Sequence, residues 1–295
     1  MTTIIMSGKE PAASICRQIE ARVDELEKSG AGVPGLAVVI VGQDPASLIY
    51  VERKEKACLR VGFSSFPHRL PENAGEKEVL DLIGRLNQDP AVNGILVQLP
   101  LPKGLDEDKI VASLDPEKDI DGFHPDNLGR LLRGEDAVVP CTPRGIMELL
   151  AYYKIPIEGR DAVVVGRSNI VGKPLAVLLA QKKAGANATV TICHTRTRDL
   201  AAHTSRADIL VAAAGTKEMI SADMVKPGAA VVDVGIHEVG REPDGKRRLV
   251  GDTDFEAVKR RAGAITPVPG GVGPMTIAML LKNTLEAFLR QRGLK

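Results

Sequence analysis

The sequence predicts an α/β protein of two domains, each a mainly parallel sheet covered by helices. Three observations carry this. Short apolar runs rich in β-branched residues alternate with amphipathic stretches in two separate series, as parallel strands with crossover helices require. The length of 295 residues exceeds one typical domain and is ample for two medium cores. With no Trp, 3 Tyr and 5 Phe, the core falls to Val, Ile, Leu and Ala, the residues of strands buried on both faces.

The first series opens on GLAVVIVG at 35–42, an apolar run bounded by glycines. Pro45 starts a helix that extends to about residue 60, with Leu48, Val51, Glu55 and Cys58 at helical intervals and Gly62 as a stop. A short strand near 63–69, a helix over 76–87, the strand GILVQ at 94–98 and a helix over 106–114 follow. Residues 114–144 contain DPEKDIDGFHPDN and VVPCTPRG; they lack periodicity and read as loop plus domain hinge. A helix over 145–153 leads into the second series, with strands at 161–166, 189–193, 208–212 and 230–234. The last segment, 272–292, reads as an amphipathic helix that returns to pack on the first domain.

Thirty-nine basic against 38 acidic residues leave a net charge of +1, without the positive field of a nucleic-acid binder. Any anionic ligand must be met by local charge. The four cysteines, Cys16, Cys58, Cys141 and Cys193, form no CxxC pair and no zinc-finger spacing, so reduced thiols and no metal site are expected. No stretch approaches the ~18 apolar residues of a membrane span, and the first ten residues carry no secretory pattern. The expectation is a cytoplasmic protein that binds neither nucleic acid nor membrane.

A nucleotide signal starts where the strand DAVVV runs into Gly166, Arg167, Ser168, Asn169, Ile170, Val171, Gly172, Lys173 and Pro174, followed by the helical PLAVLLAQ. Glycines at 166 and 172 allow a tight turn, and the free N–H groups and dipole of the helix start suit a pyrophosphate. This is not GxGxxG spacing, and an ordinary strand-turn-helix corner would read the same. After the next strand, where an NAD enzyme carries an acidic residue for the ribose, stand His194, Thr195, Arg196, Thr197 and Arg198. Hydroxyls and guanidiniums there fit a 2′-phosphate, which favours NADP over NAD, with a solvated basic loop as the alternative. Arg167 could serve the same phosphate.

In the first domain Tyr50 and Lys54 stand four apart on one helix, so both emerge on one face. They are either a stacking surface beside a tunable amine or part of a solvated charged face. Gln98 sits at the C-terminal end of its strand, where open α/β sheets place their ligand crevice, or else merely caps that strand. Asp121 can accept paired N–H bonds from a heterocycle, or make a local Asx-turn. Cys58 extends the Tyr50/Lys54 face as a packed thiol. His194, His203 and His237 show no triad or metal pairing and read as structural.

Taken in order, SLIYVERKEKAC, GILVQLPLP, PEKDIDGFHP, VPCTPRG, VVVGRSNIVGKP, ATVTICH and ITPVPGGVGPMT resemble the bifunctional methylenetetrahydrofolate dehydrogenase/methenyltetrahydrofolate cyclohydrolase family across nearly the whole chain. The resemblance implies an N-terminal α/β substrate domain, residues 1–143 completed by a C-terminal helix at 272–295. It also implies a Rossmann-type NADP-binding domain at 144–271, with a cleft between the two, and a homodimer. It assigns catalysis to Lys54, Gln98 and Asp121, with Tyr50 stacking on the aminobenzoyl group of a tetrahydrofolate derivative and Asp121 holding the pterin edge. Pro269, Gly270 and Gly273 would line the folate site, where a rigid segment with little side-chain bulk permits close approach. The cofactor set would be Gly166, Arg167, Ser168, Val171, Gly172, Thr195, Arg196 and Ile236.

The implied chemistry is NADP-linked oxidation of 5,10-methylenetetrahydrofolate followed by hydrolysis to 10-formyltetrahydrofolate, a step that feeds one-carbon metabolism and purine biosynthesis. Hydride transfer asks mainly for placement. Hydrolysis asks for proton removal and return, and an unperturbed lysine near ~10.4 is a poor base at neutral pH, so burial or neighbours would have to favour its neutral form. The alternatives are another two-domain NADP dehydrogenase resembling shikimate dehydrogenase, and a non-catalytic dinucleotide-binding protein. A P-loop NTPase is disfavoured because no GxxxxGK[ST] occurs.

Overall fold

The computed structural model describes residues 2–241, 245 and 247–294. The chain begins with β1 (Ile4–Ile5), α1 (Lys9–Lys28), β2 (Gly35–Val41), α2 (Pro45–Arg60), β3 (Ser64–Leu70), α3 (Glu76–Gln88), β4 (Gly94–Val97), α4 (Glu107–Val111) and α5 (Pro125–Arg133). It continues with α6 (Cys141–Tyr152), β5 (Asp161–Val165), α7 (Gly172–Ala180), β6 (Thr189–Cys193), α8 (Leu200–Thr204), β7 (Ile209–Ala212) and β8 (Ala230–Asp233). Strands β9 (His237–Arg241) and β10 (Arg247–Val250), helix α9 (Phe255–Lys259), β11 (Ala264–Ile265) and α10 (Val272–Gln291) complete it. Two compact units result: Ala13–Cys141 with Ile277–Lys295, and Met1–Ala12 with Thr142–Thr276. The first twelve residues therefore group with Thr142–Thr276 rather than with the chain that follows them.

The unit containing residues 13–141 is organised by β2, whose seven residues are all buried. It is the middle strand of a parallel sheet ordered β3-β2-β4, which is why GLAVVIV shows no polar alternation. Helix α3 lays Val79, Leu82, Ile83 and Leu86 on this sheet, each worth about 1.5–3 kcal/mol of burial. Helix α2 starts where Asp44 accepts the Ser47 N–H at 2.7 Å with Pro45 in the first turn. Two polar groups on α10 belong to the same unit. Asn283 donates to the carbonyls of Ile120 (2.7 Å) and Val139 (3.0 Å), and Gln291 is bonded to Asn93.

The other unit holds a six-stranded parallel sheet ordered β1-β11-β8-β7-β5-β6. The order in which strands are added reverses at β5, because β6 lies on one side of it and β7 on the other. That is the switch point at which doubly wound sheets open a ligand crevice outside the strand ends. The core here is aliphatic, built on Val163, Val165, Leu210, Val231 and Ile265.

Several elements depart from the sequence reading. Residues 114–144, expected as loop and hinge, contain helix α5. His124 caps its start, accepting the Asp126 N–H at 3.1 Å, Pro125 occupies its first turn, and Gly134 closes it at φ +74°. Helix α6 starts at Cys141, four residues before the expected position. Helix α1, with Ala12, Ile19, Val23 and Leu26 buried, and the antiparallel pair β9/β10 lie outside the elements assigned from periodicity. Among the described residues no helix is long and apolar enough to cross a membrane.

Candidate functional site

Strand β4 is buried along its length, and the chain leaves it at Gln98, whose N–H still bonds to Val39 O of β2 at 2.8 Å. The Gln98 side chain is thereby set at the carboxyl end of the sheet. Its Nε2 donates to Leu99 O at 2.6 Å, and its Oε1 accepts from Lys54 Nζ at 3.1 Å. Lys54 and Tyr50 sit one turn apart on α2, both half-buried. Cys58, one turn further, is fully buried with its thiol toward Ser64 O at 3.8 Å, and burial pushes that thiol up to about 12. It is a packed thiol.

Asp121 joins Lys54 from the loop before α5. Burial raises its carboxyl above the usual carboxylate range, and the Lys54 charge and a hydrogen bond from Cys141 pull it back. The structure thus brings Lys54, Gln98 and Asp121 together. It also shows what fixes Asp121, which spacing alone did not reveal. Asp119, almost fully buried, accepts the His124 N–H at 2.8 Å and Asn127 Nδ2 at 2.9 Å. Asn127 in turn donates to Pro116 O and accepts the Val138 N–H. On the other side of the loop Asn283, 1% exposed, holds Ile120 O and donates to Cys141 Sγ at 3.5 Å. The one signal available was a polar residue on the apolar face of a helix, a position that has to be hydrogen-bonded.

In the six-stranded unit, Gly166 follows β5 with φ +142°, and a Cβ there would fall 2.1 Å from Ala213 O. A Cβ on Gly172 would fall 2.2 Å from Gly166 O. Only glycine lets the turn close this tightly, so the N-terminus of α7 is presented at the switch point. Ser168 Oγ accepts the N–H groups of Val171 (3.1 Å) and Gly172 (3.3 Å). A concave turn ending in a nine-residue helix fits the diphosphate of a dinucleotide. Arg167, Thr195, Arg196 and Arg198 are exposed. The loop after β6 is held by Thr197 Oγ1 accepting the His194 N–H at 2.9 Å and by His194 Nδ1 accepting the Arg196 N–H at 3.1 Å. Ile236, just past β8, is 46% exposed.

Pro269 and Gly270 also belong to this unit. Gly270 O accepts the Gly8 N–H at 2.9 Å, and the backbone there has φ +102°. Gly273 lies in the first turn of α10, where a Cβ would meet nothing within 4 Å, so packing does not demand glycine at that position.

Comparison with known proteins matches two family models to successive parts of the chain. The family model described as the tetrahydrofolate dehydrogenase/cyclohydrolase catalytic domain matches residues 6–121, and the model of the corresponding NAD(P)-binding domain matches residues 140–292. A bifunctional protein FolD from Syntrophus aciditrophicus (strain SB) is 54% identical over 294 residues, covering 100% of both chains. Among solved structures, the bifunctional FolD methylenetetrahydrofolate dehydrogenase/cyclohydrolase of Campylobacter jejuni is 46% identical with a TM-score of 0.91, over 98% of this chain and 99% of that one. The Trypanosoma brucei dehydrogenase-cyclohydrolase, solved with NADP cofactor and an inhibitor, is 40% identical with a TM-score of 0.92, over 98% of each chain.

Proposed function

Because the chain belongs to the tetrahydrofolate dehydrogenase/cyclohydrolase family, we propose that it oxidises 5,10-methylenetetrahydrofolate with NADP and hydrolyses the methenyl product to 10-formyltetrahydrofolate. The observation that carries this reading is the Lys54–Gln98 hydrogen bond with Asp121 beside it at the carboxyl end of the small sheet. A non-catalytic dinucleotide-binding protein has no need of such a cluster.

The dinucleotide supplies the hydride acceptor. Gly166, Ser168, Val171 and Gly172 hold its diphosphate, Arg167, Thr195 and Arg196 its 2′-phosphate, and Ile236 its nicotinamide half. Tyr50 stacks on the aminobenzoyl ring, Asp121 accepts N–H bonds from the pterin edge, and Pro269, Gly270 and Gly273 pass close to the folate. In hydrolysis, water adds to the methenyl carbon and the Lys54 amine takes the proton it sheds. That proton then goes to the ring nitrogen as its bond to the carbon breaks, and the carbinol hydroxyl gives up its own proton to solvent as the formyl C=O forms, so one proton is released overall. Gln98 keeps the amine in place through its fixed Oε1. Hydride transfer needs no such proton relay and depends on placement.

The reading extends to a cytoplasmic homodimer serving purine biosynthesis, supported by the motif resemblance. One assay tests the whole: methylenetetrahydrofolate is supplied with NADP or NAD, and the methenyl absorbance is followed as it rises and decays. Oxidation of shikimate without folate turnover would overturn it.

A further inference from the structure

Two turns in the six-stranded unit hang on a buried pair of carboxylates outside the site described so far. Asp252 is wholly buried. Its Oδ2 accepts the N–H groups of Ala214 (2.6 Å) and Gly215 (2.9 Å), and its Oδ1 lies 2.7 Å from His237 Nε2. Its own N–H donates to Asp233 Oδ1 at 2.9 Å. Asp233 also accepts the N–H groups of Gly235 (2.9 Å) and Thr253 (2.8 Å) and the Thr253 hydroxyl (2.6 Å). The backbone closes directly on these oxygens. A Cβ on Gly235 would fall 2.2 Å from Asp252 Oδ1, and one on Gly251 would fall 2.0 Å from Asp233 Oδ2. The conformations of 213–215 and 234–236 are therefore dictated by carboxylate oxygens.

Those turns follow β7 and β8, next to the switch point at Gly166. Thr195 and Arg196 follow β6, on the opposite side of β5. A dinucleotide whose diphosphate sits at the start of α7 and whose 2′-phosphate sits past β6 must send its other half over the ends of β7 and β8. Resting on the family reading above, we infer that Asp252, with His237 and Asp233, positions the turns that receive the nicotinamide half, and so controls hydride transfer and not hydrolysis. None of the three needs to touch the cofactor. Asp252 acts through the Ala214–Gly215 turn and through the Gly235 backbone beside Ile236, and reacting atoms must be held within ~3–3.5 Å for transfer.

The test uses the full chain with Asp252→Ala, Asp252→Asn and His237→Ala. Four quantities are read: hydride transfer, hydrolysis of methenyltetrahydrofolate without dinucleotide, and the Kd values of NADP and of adenosine 2′,5′-bisphosphate, which lacks the nicotinamide half. Asp252→Ala is expected to lower hydride transfer about 100-fold and NADP affinity about tenfold, with hydrolysis within about twofold of wild type and bisphosphate affinity unchanged. Asp252→Asn can keep an oxygen on the two N–H groups and turn its NH2 toward His237, so it should recover most of the loss. If Asp252→Ala does not fold, the comparison is made on His237→Ala, whose side chain is 23% exposed and whose removal should cost hydride transfer about fivefold. Equal loss of both activities, equal weakening of both ligands, or unaltered hydride transfer overturns the inference. Absence of folate turnover in the wild type would instead overturn the family reading, with the two Kd values still deciding the role of Asp252.

Discussion

Lys54 Nζ donates to Gln98 Oε1 across 3.1 Å, and the receiving amide cannot turn away because its Nε2 is tied to Leu99 O at 2.6 Å. The amine is thus directed by a neutral partner that places it without adding a charge. Lys54→Met keeps most of the apolar stem of the side chain and removes the proton carrier. It is expected to abolish hydrolysis, by about 1000-fold or more, while leaving appreciable hydride transfer. Parallel assays of the two steps at saturating folate check this, and equal loss of both with folate affinity retained defeats the division of labour.

Asp121 gives a prediction in pH. Burial raises its carboxyl, and Lys54 and Cys141 lower it. The pterin edge needs the ionised form as acceptor, so the KM for folate should rise on acidification, starting at a higher pH than for an ordinary carboxylate. Cys141→Ala removes one lowering influence and should move that rise to still higher pH, while Asp121→Asn should raise KM and remove the dependence. The folding linkage runs the opposite way, because acidification costs folate affinity but adds stability. A raised carboxyl contributes stability that is fully present below its unfolded pKa and is lost as pH rises through its folded pKa. Asp121→Asn should therefore have a higher Tm than wild type near neutrality, with the difference closing in acid. A thermal-melt series across pH reads this directly.

Arg196 stands exposed on the loop fixed by His194 and Thr197. If it meets the 2′-phosphate, Arg196→Ala removes a charge-assisted contact specific to NADP. Such contacts are worth about 1.5–3 kcal/mol, so the KM for NADP should rise at least tenfold while that for NAD stays nearly level. An unchanged ratio of the two would take this residue out of the phosphate site.

The parts legible in the sequence were those where one local rule decides. GLAVVIV reads as a buried strand because both faces are covered, and Pro45 or Gly62 mark helix ends whatever surrounds them. Helix α5 was hidden because His124, Pro125 and Asp126 belong equally to turns, and only burial of Asn127 and Leu131 decides for helix. Position alone left Lys54, Gln98 and Asp121 open between a site and ordinary structural roles, and the motif resemblance is what assigned them to catalysis. Asp119, Asn127 and Asn283 could not be named from either: the first two pair within 11 residues, inside a stretch whose helix was itself hidden, and Asn283 reaches a partner 163 residues away, a pairing of which single-chain spacing carries no trace. The Asp233–Asp252 pair was equally invisible, and His237 beside it read as merely structural.

The glycines separate close approach from accident, and the contrast can be measured. At Gly172 a Cβ would stand 2.2 Å from Gly166 O and 2.9 Å from Arg167 N, all backbone atoms of the phosphate turn. Gly172→Ala must push α7 away from that turn, at a cost of about 1–3 kcal/mol, and the displaced helix start should weaken NADP at least fivefold. Gly84 lies inside α3, where a Cβ meets nothing within 4 Å. There, alanine only removes freedom from the unfolded chain and should stabilise by about 0.5–1 kcal/mol. Denaturant melts of the two variants with NADP titrations should therefore move in opposite directions for stability, and only Gly172→Ala should lose affinity. A Gly172→Ala protein with wild-type affinity would show that the turn relaxes without consequence for the dinucleotide.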